Sequence, residues 1–250
     1  MMDRRQVAVP VADLLDAPEG ERARQVVMGQ DVEVLGDGDG WCQVRVLAGG
    51  YVGYLWSSML EEPEEVTHRV TARSTHIYPE ADFKVRETAA LSHGSRFTVL
   101  REVGRFFETP QGFVPKVHAA PLDPPERDPV AVAARFLGTP YLWGGNSGFG
   151  IDCSGLVQAA CLACGIDCPG DSGMQAEALG RAIGPEEALA RNDLLFWKGH
   201  VAWVVDEATL LHANVFHMAV AFEGLHEAIT RIEAQGDGSV TLRKRLEILE

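Results

Sequence analysis

The sequence predicts an α+β fold, in which two small β domains precede a larger domain of helices and an antiparallel sheet. Three observations support this prediction. The first half contains short runs of alternating apolar and polar residues, separated by glycine-rich turns. The second half begins with capped helical segments and continues with apolar runs of strand length. A proline-rich segment lies between the halves, so we assign domains to residues 1–62, 63–122 and 123–250.

The boundary before the third domain is the clearer of the two. Four of the nine residues 121–129 are proline, which neither continues a helix nor fits a central strand, so we expect a stiff linker. The boundary between the first two domains is the charged run 61–65, which includes Pro63. Both β domains are near the lower size limit for a stable core, so we expect each to pack against a larger neighbour.

The two β domains are predicted to have a similar order of strands. In the first domain, residues 36–40 form a glycine-rich turn between two strands, and Gly104 takes that place in the second. The predicted strands cover residues 30–35, 41–47, 50–55, 96–103, 105–109 and 112–115.

The third domain begins with helix signals. Asp128 is a suitable N-cap, Pro129 suits the first helical position, and Gly138 suits the end of the helix. Two further helices are expected to start at Asp152 and Asp171. The predicted helices span 128–138, 152–165 and 171–180, and the predicted strands after them span 193–197, 200–205, 209–214 and 218–222.

The composition argues against several classes of partner. The chain has 250 residues, a net charge of −14 and a pI near 5.0, so nucleic acid or an anionic membrane surface would repel it. No apolar run reaches the length of a signal sequence or of a membrane span. We therefore expect a soluble cytoplasmic protein without a nucleic-acid or membrane partner.

The cysteines favour neither disulfides nor a metal. The five are unevenly spaced, which does not suit a disulfide framework in a chain without an export signal. Cys161, Cys164 and Cys168 are close in sequence, but their spacing matches no usual zinc pattern. Cys42 falls in a predicted strand and is interpreted as structural. We predict no metal and no other cofactor.

Cys153 is the strongest candidate for a nucleophile. It is predicted to begin a helix directly after Asp152, and the free amides and dipole of a helix start stabilise an anion. A thiolate should therefore form there more readily than at the usual cysteine pKa of about 8.5. The alternative interpretation is a buried structural cysteine.

Two histidines are candidates for a base and for the residue that orients it. His200 and His212 lie on predicted strands joined by a short turn, so they are opposite each other or one diagonal step apart, on the same face. One imidazole can then orient the other, as a nucleophilic cysteine requires. Asn214 shares that face and is the alternative orienting residue.

These residues resemble the signature of the NlpC-like cysteine peptidases of bacterial cell walls. The resemblance rests on residues 150–158 (Gly-Ile-Asp-Cys-Ser-Gly-Leu-Val-Gln), on Gly199-His200-Val201 and on His212, and it covers roughly residues 125–235. It implies a papain-like core that hydrolyses an amide bond.

The resemblance also implies a role for each residue. Cys153 would be the nucleophile, His200 the base and His212 the residue that orients it. Tyr141, in a Tyr-x-x-Gly-Gly stretch, would place its hydroxyl near the reacting carbonyl. The alternative for Tyr141 is a core aromatic with a hydrogen-bonded hydroxyl.

A narrower resemblance rests on Asp171-Ser172-Gly173-Met174-Gln175 and on the two β domains, which resemble bacterial SH3 domains. This arrangement is similar to the γ-D-glutamyl-diamino-acid dipeptidyl-peptidases that recycle wall peptides. The resemblance implies that Asp171 and Ser172 bind the free N-terminal amine of a murein peptide that begins with L-Ala. It further implies that Tyr51 contributes to the site, beside a glutamate whose place Gln30 or Asp31 would have to take here.

Other interpretations stay open at this point. Ser172 and Gln175 also fit a capping box, in which both would serve the helix and not a ligand. The expected function is hydrolysis of the γ-D-glutamyl–diamino acid bond in free murein peptides, with release of L-Ala-γ-D-Glu. The alternatives are a lytic endopeptidase that acts on intact peptidoglycan, and a peptide-binding module with an inactive hydrolase domain.

Overall fold

The computed structural model describes residues 3–247, and the chain divides into two compact units. The first unit comprises the residues up to 124 together with 146–149, and the second comprises 125–145 and the residues from 150 onward. Both predicted β domains lie in the first unit. The predicted limits of the three domains stay a prediction.

A seven-stranded antiparallel sheet forms the first part of the first unit, in the order β3-β2-β6-β5-β4-β1-β7. Its strands are β1 (Asp3–Val7), β2 (Val11–Leu15), β3 (Arg22–Val27), β4 (Asp31–Gly38), β5 (Trp41–Val46), β6 (Val52–Trp56) and β7 (Leu60–Glu61). The core contains Leu14, Val44 and Leu55, which are fully buried. The predicted turn is shorter than expected, because β4 continues to Gly38 and only Asp39 and Gly40 join it to β5, both with positive φ.

Three small sheets form the second part of the first unit, in the orders β10-β9, β11-β8-β15 and β12-β13-β14. The strands are β8 (His68–Val70), β9 (Ser74–Ile77), β10 (Ala89–Ser92), β11 (Arg96–Phe97), β12 (Arg101–Val103), β13 (Phe106–Thr109), β14 (Gly112–Pro115) and β15 (Ala119–Pro121); β16 (Asn146–Ser147) also belongs to this unit. The single strand predicted at 96–103 is wrong, since it divides into β11 and β12, which belong to different sheets.

The predicted linker begins later than expected, because Pro121 ends strand β15. This strand lies at the edge of its sheet, where a proline without an N–H is tolerated. The guanidinium of Arg69 donates to the carbonyl oxygens of Pro121, Leu122 and Pro124, which fixes the start of the linker.

The second unit contains a six-stranded antiparallel sheet in the order β18-β23-β19-β20-β21-β22. Its elements are α1 (Pro129–Ala134), β17 (Gly150–Ile151), α2 (Cys153–Ala163), α3 (Ser172–Ala178), β18 (Arg181–Ala182), β19 (Asp193–Trp197), β20 (His200–Asp206), β21 (Thr209–Asn214), β22 (Ala219–Gly224), α4 (Leu225–Gln235) and β23 (Leu242–Arg245). The α+β architecture predicted from the sequence is confirmed. Helix α4 and strand β23 were not predicted.

The helix starts follow the predicted caps. The Asp128 carboxylate accepts from the amide of Ala131 at the start of α1, where Pro129 is the first helical residue. The Asp152 carboxylate accepts from the amide of Gly155 at the start of α2. Helix α1 ends four residues before Gly138, and tighter turns lead from it to that glycine.

The sheet of the second unit is covered on both faces. One face carries Phe196 and Trp203, which pack with apolar residues of α1 and α2 such as Leu156. The other face carries Leu195 and Leu210, which pack with residues of α4. Strands β19, β20 and β21 are buried on both faces, which explains their nearly continuous apolar sequence. No helix within residues 3–247 is both long and apolar enough to cross a membrane.

Candidate active site

The Cys153 side chain lies at the start of α2 and is almost fully buried. Burial and the neighbouring Asp152 carboxylate raise the pKa of the thiol to about 12, although the backbone amides of Val201, Ser154 and Cys153 itself act in the opposite direction. The expectation of a thiolate below the usual pKa is therefore wrong, because burial outweighs the effect of the helix start. Contact with the Val201 amide places the sulfur beside the residue that follows His200.

Asp152 connects the loop before α2 to the first turn of that helix. One carboxylate oxygen accepts from the amide of Gly155 at 2.7 Å and from the hydroxyl of Ser154 at 3.0 Å. The other oxygen accepts from the amide of Gly144 at 3.0 Å. These contacts fix the position of the thiol relative to the Tyr-x-x-Gly-Gly loop.

His200 and His212 are brought together as the hairpin geometry predicts. A two-residue turn at Lys198 and Gly199, with positive φ at the glycine, places His200 at the start of β20 opposite Trp197. The register of β20 and β21, which pairs Trp203 with Leu211, sets His200 one diagonal step from His212 on the same face. Nε2 of His200 lies 2.9 Å from Nδ1 of His212.

Both imidazoles are held in the neutral form. Burial lowers the pKa of His200 to about 3, and the nearby His212 and Arg231 add to this effect. Burial also lowers the pKa of His212, although the hydrogen bond to Glu223 opposes the shift. A neutral imidazole is the form that accepts a proton, so His200 has the protonation state of a general base.

Asn214 does not take the place of His212. It lies on the same face, but its Oδ1 accepts from the backbone amide of His217 at 2.8 Å. Its Nδ2 is buried and has no hydrogen-bond partner among the described residues. The contact with His200 is made by His212.

Glu223 and Arg231 belong to the same cluster and were missed by the sequence reasoning. Oε2 of Glu223 lies 3.0 Å from Nε2 of His212, and Arg231 donates two hydrogen bonds to the same carboxylate, each at 2.8 Å. Burial by itself would raise the pKa of Glu223, but the hydrogen bonds from His212 and Arg231 hold it well below its usual value. The available signal was the β21–β22 hairpin, whose register sets His212 opposite Ala221 and diagonal to Glu223.

Tyr141 lies close to the thiol and is half-buried. Burial raises the pKa of its hydroxyl, and the nearby Cys153 and Asp152 add to the shift, so the phenol keeps its proton. Its backbone amide donates to the carbonyl of Met218 at 2.9 Å, which ties the loop to the end of the β21–β22 connection. A protonated phenol here is a potential hydrogen-bond donor to a substrate.

The capping box that was the alternative interpretation of Ser172 and Gln175 does not form. Asp171 is the N-cap by position, but its side chain makes no capping hydrogen bond. The Gln175 side chain instead donates to the carbonyl oxygens of Ser154 and Pro169, at 2.9 and 3.0 Å. The start of α3 is thereby held against the first turn of α2, and the Asp171 carboxylate is exposed.

Tyr51 belongs to the first unit, where its ring packs against the core of the seven-stranded sheet and lies 5.7 Å from the guanidinium of Arg24. Gln30 and Asp31, the two candidates for the accompanying acidic residue, are both engaged within this unit. Gln30 accepts from the amide of Val27, and Asp31 accepts from the guanidinium of Arg4. The contribution of Tyr51 to a substrate site stays a prediction.

All five cysteines are buried and unbridged. The hydrogen bond to Cys168, together with burial, raises the pKa of Cys161 well above its usual value. The described residues contain no cluster of three or more His, Cys, Asp or Glu side chains that could hold a metal ion.

Two family profiles match the sequence. Residues 138–233 match the NlpC/P60 family, and residues 14–60 match the bacterial dipeptidyl-peptidase SH3 domain. Over 231 residues, the chain is 30% identical to the gamma-D-glutamyl-L-lysine dipeptidyl-peptidase of Bacillus subtilis (strain 168), an alignment that covers 82% of this chain and 76% of the relative. The chain belongs to the NlpC/P60 family. It is therefore a cysteine peptidase with an N-terminal SH3-like domain.

Further NlpC/P60 relatives agree in sequence and in fold. The gamma-D-glutamyl-L-lysine dipeptidyl-peptidase of Bacillus cereus is 28% identical, with 76% of this chain and 66% of the relative covered. The crystal structure of an NlpC/P60 family protein from Bacillus cereus covers 98% of this chain and 99% of its own, with a TM-score of 0.82 at 22% identity. An NlpC/P60 endopeptidase from Photobacterium damselae has a TM-score of 0.63 at 15% identity, with 96% of this chain and 70% of its own covered. Both structures show the fold.

Proposed function

We propose that this peptidase hydrolyses the γ-D-glutamyl–diamino acid bond of free murein peptides and releases L-Ala-γ-D-Glu, as a step in the recycling of wall peptides. The observation that carries the proposal is the contact of the helix-start thiol with the amide of Val201, the residue next to His200, which is itself hydrogen-bonded to His212. The names of the two Bacillus relatives, gamma-D-glutamyl-L-lysine dipeptidyl-peptidase, support the substrate class.

In the proposed reaction, Cys153 is the nucleophile and His200 is the base. Proton transfer from the thiol to Nδ1 of His200 generates a thiolate that attacks the amide carbonyl, and the resulting oxyanion receives hydrogen bonds from backbone amides at the start of α2. The protonated Tyr141 hydroxyl is a further donor. His200 then returns its proton to the leaving amine, and a water activated by the same imidazole releases the acyl group.

The free N-terminal amine of the substrate is assigned to Asp171, with Ser172 beside it. The Asp171 carboxylate is exposed and does not serve as a cap, so it is available for an ammonium group. The Gln175 bond to Ser154 holds this end of α3 next to the helix turn that carries the nucleophile. A carboxylate at a fixed distance from the thiol would set how many residues are released.

The test compares L-Ala-γ-D-Glu-meso-diaminopimelate with the same peptide acetylated at its N-terminus. We expect release of L-Ala-γ-D-Glu from the free peptide, and a loss of at least tenfold in kcat/KM on acetylation, because a charge-assisted hydrogen bond contributes roughly 1.5–3 kcal/mol. The L-lysine peptide, run in parallel, gives the preference at the third position.

Two outcomes would contradict the proposal. Equal cleavage of both peptides, together with digestion of intact peptidoglycan, would identify a lytic endopeptidase. Tight binding of the free peptide without turnover, in a protein whose Cys153 resists a thiol-directed reagent, would identify a binding module.

A further inference from the structure

The chain of hydrogen bonds that begins at His200 continues past His212 to a carboxylate. Nδ1 of His212 faces His200, and Nε2 faces Oε2 of Glu223 at 3.0 Å. An ionised carboxylate can only accept hydrogen bonds, so Nε2 of His212 must carry a proton. Since the imidazole is neutral, Nδ1 of His212 carries none and acts as an acceptor.

The same reasoning fixes the tautomer of His200. Its Nε2 faces an acceptor and must therefore carry the proton of that ring. Nδ1 of His200 then carries no proton and can accept one. The next residue, Val201, has its backbone amide beside the Cys153 sulfur. Had Nδ1 carried the proton, His200 could not have acted as a base there.

Arg231 is arranged to keep this pattern. Its Nε and Nη2 donate to the two oxygens of Glu223, its Nη1 donates to Gln235 at 2.7 Å, and the ring of Phe216 lies 4.5 Å from its Cζ. The side chains of Arg231 and Glu223 are only 17% and 11% exposed, so water screens the ion pair little. Without Arg231, the bare carboxylate would favour a doubly protonated His212, which would then donate from Nδ1 and reverse the tautomer of His200.

We propose that Glu223, held in place by Arg231, is a positioning residue that fixes the proton positions on His212 and His200 and leaves Nδ1 of His200 free for the Cys153 proton. This inference rests on the proposed function, because it assigns Glu223 to the base of the same reaction. In the step concerned, the S–H bond of Cys153 breaks, its electron pair stays on sulfur, and the proton binds Nδ1 of His200. The positive charge then lies two hydrogen bonds from the carboxylate.

Among residues 3–247, three charged or titratable side chains face Glu223. His212 comes from β21 and Arg231 from α4, and Nε2 of His217, in the β21–β22 connection, lies 3.5 Å from the same oxygen. His217 is part-exposed, so it is not required to hold the carboxylate. Arg231 donates two hydrogen bonds to the Glu223 carboxylate, so its substitution tests what holds the carboxylate in place.

The decisive variant is Glu223→Gln. A carboxylate offers acceptors to all three of its donors, Nε2 of His212 and Nε and Nη2 of Arg231, but an amide has one acceptor and one donor group, so in either orientation its nitrogen meets a donor of Arg231. The His212 proton is then no longer held at Nε2 by a carboxylate, so both rings exchange between their two tautomers. We expect the imidazole 15N spectrum to show this exchange in both rings, with His200→Gln and His212→Gln used to assign the signals.

Kinetics and alkylation provide the second measurement. We expect Glu223→Gln to lower kcat by roughly tenfold to a hundredfold with KM little changed, and to slow iodoacetamide labelling of Cys153 near pH 7. The matched control is Asp193→Asn, which removes a similar buried carboxylate that Arg245 holds with two hydrogen bonds in the same sheet. It should cost stability but leave the tautomers and the labelling unchanged.

The outcomes separate this inference from the proposed function. Unchanged ring 15N signals in Glu223→Gln, or equal losses in Glu223→Gln and Asp193→Asn, would overturn the role of Glu223 even if murein peptides are cleaved. A tautomer exchange in a protein that cleaves no murein peptide would support this role and refute the substrate. If Glu223→Gln does not fold, two other variants provide the test. Arg231→Gln should show a doubly protonated His212, and Glu223→Asp, which keeps the carboxylate, should retain part of the wild-type kcat.

Discussion

The side chains of His200 and His212 touch through Nε2 and Nδ1 at 2.9 Å, whereas Asn214, on the same face, turns its Oδ1 to the amide of His217. This relationship predicts unequal effects of two substitutions. His212→Gln should lower kcat by roughly a hundredfold or more, because it removes the group that orients the base. Asn214→Ala should change kcat much less and cost about 1 kcal/mol of unfolding free energy. Steady-state kinetics and urea unfolding measure both; equal losses of kcat would contradict the assignment.

The five buried cysteines differ in their predicted contribution to activity. Cys153→Ala should abolish hydrolysis and leave the unfolding free energy within about 1 kcal/mol of the wild-type value, because the change is small. Cys161→Ala, in the same helix and fully buried, should retain turnover. Chromatography of the released product measures turnover in both variants, and mass spectrometry after iodoacetamide treatment shows which cysteine reacts. Turnover by Cys153→Ala would refute the nucleophile.

The pH dependence of kcat/KM should reflect the buried base. Activity requires neutral His200, and burial lowers its pKa below the usual value of about 6.5. The acid limb of the profile should therefore lie below pH 6.5, with activity lost only as the pH falls through the lowered pKa of His200. An acid limb at or above pH 6.5 would indicate a base that is exposed to water in the free enzyme.

Asp171 is predicted to act on the affinity for the substrate. Asp171→Asn should raise KM for a peptide with a free N-terminal amine by roughly tenfold to a hundredfold, and it should not change the slow cleavage of the acetylated peptide. Glu177→Gln, which changes an exposed carboxylate on the same helix, is the matched control. Similar increases in KM for the two variants would show that the amine is attracted by the overall negative charge of the surface and not by Asp171 in particular.

Acid should destabilise the second unit before its carboxylates titrate. His212 is buried and has a lowered pKa when folded, so the unfolded chain binds more protons below about pH 6.5 and the unfolding free energy falls as the pH drops. Glu223 has a lowered pKa, so its stabilisation is present above about pH 4.5 and is lost at lower pH. Urea unfolding between pH 7 and pH 5 should show a smaller decrease for His212→Gln than for wild type, whereas His226→Gln, at an exposed position, should follow wild type.

Local signals predicted the elements that hold Cys153 and the two histidines. The capped start of α2 and the apolar runs of β19 and β21 are recognisable without tertiary information, because caps and strand periods are local properties. The contact between His200 and His212 followed from the hairpin spacing between β20 and β21. The SH3-like first domain was predicted from its turn and strand pattern and is confirmed by the profile match at 14–60.

Features that depend on tertiary contacts were not predictable in the same way. Gln175 suits a capping box by sequence, but its amide finds better partners in the carbonyl groups of Ser154 and Pro169. The raised pKa of Cys153 follows from burial, which the helix-start signal does not report. Glu223 lies beyond the predicted end of its strand, and Arg231 lies on a helix with only two buried residues, so neither stood out.

The four side chains of the hydrogen-bonded path from His200 to Arg231 come from three consecutive strands and the helix that follows them. Every contact in this path therefore joins neighbours along the chain, whereas the thiol comes from a separate helix. Short loops close at little entropic cost, so these strands and α4 can assemble as one cooperative segment before helix α2, which carries Cys153, packs against them. The backbone amides of β20 to β22 should accordingly exchange their hydrogens together. A loop inserted between α2 and β20 should disturb the contact between His200 and His212 less than a loop inserted within the segment from β20 to α4.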